Sequence, residues 1–254
     1  MEIKAKKSFG QNFLINKKIQ QQIVDAAEID NEDVIEIGPG LGALTNLLLD
    51  KVKSLDAYEL DNDIYQFWLE KKLPSHINFL NQDFLLSNLS SSKKRIVIGN
   101  IPYNITSEII FKLIKNNQYL KHVVLMVQKE VGQRILATSN SKNYSKLSVS
   151  VQSIGSVSKI LVAKANDFNP VPKVDSMVIK ITFDQKINFD LDEYLDFIKL
   201  CFQFKRKTLV NNLLTKYKKE KILDVLEQNK IDFLSRAENL DINQYKKIFF
   251  EFLK

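Results

Sequence analysis

The stretch from Asp33 to Asp61 most constrains what this chain can fold into. Asp33-Val34-Ile35-Glu36-Ile37 is a short apolar run that predicts a buried strand. It runs into Gly38-Pro39-Gly40-Leu41-Gly42; residues 43–49 then predict a helix and 55–59 a second strand. That order is a βαβ unit, whose strands must be parallel, and open sheets of this kind bind ligands at the carboxyl ends of their strands. The glycines let backbone approach a ligand, and the helix N-terminus adds a partial positive charge. Glu59 lies about 20 residues past the turn, the place from which a carboxylate holds both hydroxyls of a ribose. The spacing asks for an adenosine-containing ligand without saying which. Gly38, Gly40 and Ala43 also meet the looser dinucleotide fingerprint, so a nicotinamide or flavin enzyme stays open, as does a purely structural turn.

The alternation continues. Residues 64–73 predict a helix with Tyr65, Trp68 and Leu69 in the core, and 77–80 predict a strand with Asp83-Phe84 just beyond it. Asp83 is placed either to accept from an adenine amino group or to cap a helix. Ile96-Val97-Ile98 is the next strand, ending in Gly99-Asn100-Ile101-Pro102-Tyr103-Asn104 ahead of a helix start at Thr106-Ser107-Glu108. This tetrad offers a planar base two acceptors, the Asn100 side-chain oxygen and the Ile101 carbonyl, with Pro102 fixing the turn. Tyr103 supplies a face for stacking. Two acceptors on one exocyclic amino group draw its nitrogen out of conjugation, and its lone pair becomes a nucleophile without a strong general base. An ordinary Asn-Pro turn is the plain alternative.

Further strands are expected at 123–127, 157–163 and 176–183, the last two as an antiparallel edge, and a helix at 128–136 carries Arg134. Tyr144 to Val149 leads into an alternating stretch. In Asp167-Phe168-Asn169-Pro170-Val171-Pro172-Lys173-Val174-Asp175-Ser176 two prolines keep the loop extended. Phe168 either sandwiches a base against Tyr103 or anchors the loop in the core.

With 254 residues, 44% of them apolar, the chain suits one large domain with a small appendage. The boundary is expected between 1–185 and 186–254, where strand signals give way to helical ones. A net charge of +7 favours a polyanionic partner, nucleic acid first. Lys205, Arg206, Lys207, Lys216, Lys218, Lys219 and Lys221 face only Glu220, either as solvated helix faces or as a clamp on RNA. The basic N-terminal arm of Lys4, Lys6, Lys7, Ser8 and Phe9 reads as a frayed end or a phosphate contact. The single Cys201 excludes an internal disulfide, and His76 and His122 lack metal-ligand spacing, so no metal is expected. No stretch approaches a membrane span and no apolar h-region follows the N-terminal lysines; the expected compartment is the cytoplasm.

Taken together, Gln11-Asn12-Phe13-Leu14, Glu36-Ile37-Gly38-Pro39-Gly40, Glu59-Leu60-Asp61, Asn100 to Asn104, Phe168 to Ser176 and Lys205 to Leu209 resemble the ribosomal RNA adenine dimethylases, in the right order along nearly the whole chain. The resemblance is greatest to the 16S rRNA adenine-N6,N6-dimethyltransferase branch, through Lys173 to Ser176, Lys146 to Val149 and Lys207 to Leu213. Ile101 stands where that branch more usually has Leu, and Ile there is frequent in the macrolide-resistance branch that modifies 23S rRNA. The resemblance implies an α/β fold: a seven-stranded Rossmann-like methyltransferase sheet with a small all-helical C-terminal domain that contacts RNA. It implies S-adenosyl-L-methionine as cofactor, with contacts at Asn12, Leu14, Gly38, Glu59, Asp83 and Asn100; Gly40 and Phe84 join these from their position beside them. Asn100, Ile101, Pro102, Tyr103 and Phe168 form the catalytic set. Arg134, Lys146, Lys173, Lys205, Arg206 and Lys207 are the candidates for RNA contact. The implied substrate is two adjacent adenosines in a hairpin loop near the 3′ end of 16S rRNA, within a small-subunit precursor, and the expected enzyme is a monomer. An assembly factor that binds this RNA without turnover is the rival from outside enzymology.

Overall fold

A computed structural model describes residues 5–6, 9–183 and 187–254. Lys4, Lys7, Ser8 and the expected boundary at 185/186 lie outside the described residues. Nine strands are described: β1 Phe13–Leu14, β2 Asp33–Ile37, β3 Ser54–Glu59, β4 Ile77–Asn81, β5 Arg95–Asn100, β6 Leu120–Gln128, β7 Ser156–Ala163, β8 Phe168–Asn169 and β9 Ser176–Thr182. The helices are α1 Lys17–Ala27, α2 Thr45–Leu48, α3 Asn62–Leu69, α4 Thr106–Lys115, α5 Lys129–Leu136, α6 Lys146–Gln152, α7 Leu191–Cys201, α8 Leu209–Leu213, α9 Lys219–Gln228 and α10 Ile242–Leu253.

Seven strands form one sheet in the order β4-β3-β2-β5-β6-β9-β7. The first five are parallel, and β9 runs antiparallel to both β6 and β7. The chain starts in the middle at β2, winds outward through β3 and β4, then returns to place β5 on the other side of β2. The strand order therefore reverses between β2 and β5, where open α/β sheets leave a crevice. Register aligns the strand ends there: Ile37 lies opposite Tyr58 on one side and Gly99 on the other, and Glu59 opposite Asn81. Gly99 has to be glycine, because an added Cβ would stand 2.7 Å from the Ile37 carbonyl oxygen. The central strands β2, β5 and β6 are buried on both faces, which is why they read as near-continuous apolar runs rather than alternating ones.

Three local expectations are corrected. The expected helix over 43–49 is shorter, covering only the four residues of α2 with turn on either side. Trp68 is buried, stacked on Phe79 and donating Nε1–H to the Gly40 carbonyl, but Leu69 is 53% exposed. The alternating stretch after Tyr144 is helix α6. Its residues 147–151 are all buried, so no polar face marks the helical period, and Ser148 Oγ donates to the Arg134 carbonyl.

The chain divides into two compact units interleaved in sequence: Met1–Gly132 with Ser156–Asp184, and Gln133–Gly155 with Gln185–Lys254. The first holds the sheet. The second is helical apart from its loops, and the 133–155 segment belongs to it rather than to the sheet unit. Tyr144 and Val149 lie in a core with Tyr194, Phe197, Leu209, Tyr245 and Phe249, and Ser153 shares a hydrogen bond with the Tyr194 hydroxyl at 2.7 Å. Cys201 is buried in that core, where burial pushes its thiol well up. Among the described residues no group of three His, Cys, Asp or Glu is placed to hold a metal, and no helix is long and apolar enough to cross a membrane.

Candidate active site

The strand ends around the reversal open into a cleft of about 620 Å³, within the range of small-molecule sites. Gly38, Gly40, Glu59, Asp83 and Phe84 line one part of it; Asn12, Leu14, Asn100, Ile101, Pro102 and Tyr103 line the rest. Eleven residues expected from sequence to bind a cofactor or act on a base thus meet in one place.

Each is held. Glu59 is buried; its Oε2 accepts from the Gly40 N–H at 3.2 Å and its Oε1 from the Asp61 N–H at 2.9 Å. Burial raises its pKa, against those backbone bonds. Each oxygen keeps a lone pair for a hydroxyl donor. Gly40 sits at φ 52°, and a Cβ there would come within 3.2 Å of the Phe13 ring. Asp83 caps the short turn after β4, its Oδ1 accepting from the Leu85 N–H at 2.8 Å, and Lys112 ties that turn to α4 by donating to the Leu85 and Ser87 carbonyls.

Asn100 donates Nδ2–H to the Asn12 carbonyl at 2.9 Å. That bond turns the NH2 away and leaves Oδ1 as the acceptor on the other side of the planar amide. At the helix start the Thr106 hydroxyl does not cap α4: it turns back onto the Pro102 and Tyr103 carbonyls at 3.1 and 3.3 Å and stiffens the tetrad. The Tyr103 hydroxyl shares a 2.6 Å hydrogen bond with Ser176 Oγ, which fixes the ring. Burial raises the Tyr103 pKa, against the Ser176 bond, so the phenol stays protonated near neutral pH.

Phe168 is the exception. It is 1% exposed and does not line the cleft. β8 pairs antiparallel with β1, Phe168 opposite Leu14, and its ring joins the core of the sheet unit. The alternative role of loop anchor is the one this structure gives it. The basic candidates lie outside the cleft: Lys173 in the sheet unit, Arg134, Lys146, Lys205, Arg206 and Lys207 in the helical one. Lys205 to Lys207 are exposed, with Lys207 Nζ 4.7 Å from the Phe204 ring centre.

Sequence reasoning gave no role to Glu36, Ser176 or Asp61. Glu36 is buried at the cleft wall with Oε2 making no hydrogen bond. Burial, helped by the Glu59 charge, pushes its carboxyl up to about 8. The signal was there: an acid in the middle of an apolar parallel strand is costly unless a ligand uses it.

Residues 2–254 match the family described as Ribosomal RNA adenine dimethylase. The chain is 51% identical over 249 residues to the ribosomal RNA small subunit methyltransferase A of Metamycoplasma arthritidis, covering 98% of this chain and 96% of that protein. It is similar to the crystal structure of a dimethyladenosine transferase from Plasmodium falciparum, with TM-score 0.83, 30% identity, and 95% and 97% of the two chains covered. It is also similar to the 23S rRNA methyltransferase ErmE, with TM-score 0.74, 25% identity, and 96% and 100% covered.

Proposed function

The chain belongs to the ribosomal RNA adenine dimethylase family, and from that premise we propose how its cleft works and which RNA it serves. It is an S-adenosylmethionine-type methyltransferase acting on adenine in ribosomal RNA. The residues present fit that cofactor. Glu59 has lone pairs for the two ribose hydroxyls, and Asp83 has a carboxylate oxygen for the adenine amino group beside Phe84. Gly38 and Gly40 allow close backbone approach. Glu36 offers an unpartnered buried oxygen that suits a cationic ligand. The cofactor supplies an activated methyl group on sulfur.

The observation that carries the reading is the Asn100 amide, fixed by the Asn12 carbonyl with Oδ1 left to accept. Oδ1 and the Ile101 carbonyl accept hydrogen bonds from the two hydrogens of an extruded adenine amino group, and the N6 lone pair is localised. Tyr103, fixed by Ser176, stacks on the base and returns about 1–3 kcal/mol of the extrusion cost. Each methylation makes the nitrogen cationic and it sheds one proton to solvent, so after the first a single amino hydrogen remains and one acceptor must release for the second.

The substrate is two adjacent adenosines in the 3′-terminal hairpin loop of 16S rRNA, in a small-subunit precursor, modified by a cytoplasmic monomer. The small-subunit name of the 51% identical relative supports this branch; the Ile101 variant and the likeness to ErmE favour 23S rRNA as the second reading. The sheet unit carries the chemistry, and Arg134, Lys146, Lys173 and Lys205 to Lys207 contact RNA phosphates. Incubation with cofactor and both large ribosomal RNAs, followed by mass spectrometry, is expected to give dimethyladenosine in 16S. Modification of 23S alone overturns the branch, and modification of neither overturns the function.

A further inference from the structure

The described residues before β1 are fastened to the turn after β3. Asp61, in the turn after β3, is 0% exposed. Its carboxylate accepts from Lys6 Nζ at 2.6 Å, Gln11 Nε2 at 2.9 Å and the Asp63 N–H at 3.0 Å. Lys6 also reaches Asp63 at 2.7 Å, and the Lys6 backbone N–H donates to Gln11 Oε1 at 2.7 Å, which closes the loop around the carboxylate. Burial raises the Asp61 pKa, but Lys6 and Gln11 outweigh it and hold the group charged.

Residues 9–14 run along the cleft. Phe9 to Leu14 line it, Phe13 packs on Gly40, and the Asn12 carbonyl holds the Asn100 amide. One end of the strap is thus an ion pair between a partly exposed lysine and a buried carboxylate, and the other sets the orientation of the group that must accept from the substrate. We propose that Asp61 is a positioning residue: through Lys6 and Gln11 it fastens residues 9–14 as a strap over the cofactor cleft, and through Asn12 it sets the Asn100 amide. This rests on the cofactor reading above. With the pair broken, the buried carboxylate has lost its charge partner, the strap loosens, and the cleft loses one wall while Asn100 loses its acceptor.

The test uses the full chain with Asp61→Asn, Lys6→Met and Lys6→Arg. Asn still caps α3, so the helix start is kept. S-adenosylhomocysteine affinity is measured by calorimetry, and amide hydrogen exchange is followed over residues 9–14. Asp61→Asn and Lys6→Met are expected to weaken affinity about tenfold and to speed exchange in 9–14 but not in β2 or β5; Lys6→Arg restores both. Lys6 is partly exposed, so its variants report on the strap without threatening the fold. Unchanged affinity and exchange in Lys6→Met and Asp61→Asn overturns the proposal. Wild-type protein that fails to bind S-adenosylhomocysteine overturns the cofactor reading instead.

Discussion

Tyr103 and Phe168 are two aromatic residues on segments that converge near the end of β5, yet they end in opposite states. Tyr103 is partly open to the cleft and tethered by its hydroxyl to Ser176. Phe168 is closed into the core by a two-residue pairing with β1. The difference teaches what decides whether an aromatic ring is offered to a ligand. A ring with a polar tip can be held at a surface by one directed bond. The Phe168 ring has no such tip, and beside Leu14 apolar burial holds it in the interior.

The sharpest way to break this contrast is to truncate both rings. Phe168→Ala is expected to destabilise the protein by about 3–5 kcal/mol, measured by urea unfolding. Tyr103→Ala is expected to cost less stability, about 1–3 kcal/mol from the unpaired Ser176 hydroxyl, and to lower kcat/KM for RNA. If Phe168→Ala instead unfolds like wild type but loses methylation, Phe168 leaves the core during the reaction and the contrast dissolves.

Next in size is the Asn100 amide. Asn100→Ala is expected to cut methyl transfer by about 10²–10³-fold, the usual loss for one preorganised hydrogen-bonding group, while filter-binding affinity for RNA survives. Wild-type turnover in that variant removes the amide from the mechanism.

Much of the cleft was legible because it depends on short-range spacing. The strand 33–37, the glycine turn and Glu59 follow from residue type and distance along the chain, and β2 has the predicted bounds. What was not legible comes from partners far apart in sequence. Nothing near Phe168 announces Phe13–Leu14, and nothing near Asp61 announces Lys6, because those pairings exist only once the sheet has formed. The serines of α6 misled for a different reason: a helix buried on all sides has no polar face to mark its period.

Glu36 gives the third test, on the cofactor side of the cleft. Its pKa is raised by folding to about 8, so between its unfolded value and 8 the folded state binds the extra proton. Stability from this group is therefore present at low pH and lost as pH rises through that window. In the ligand-free protein the wild type should lose about 2 kcal/mol relative to Glu36→Gln between pH 5.5 and 7.5, read from paired urea unfolding at each pH. Parallel pH profiles for the two proteins mean that Glu36 is ionised already and has a partner.

The smallest effect returns to Tyr103 and tests whether its hydroxyl is what keeps the ring in the cleft. Ser176→Ala removes the bond at 2.6 Å and is expected to cost about 1 kcal/mol in kcat/KM for RNA. Tyr103→Phe should cost a similar amount, because it removes the same bond from the other side. The double variant is the informative one. With both partners gone nothing is left unpaired, so its loss should match either single change rather than their sum. Additive losses would mean that Ser176 and Tyr103 act separately and that the ring is held by packing alone, which would make Tyr103 and Phe168 alike after all.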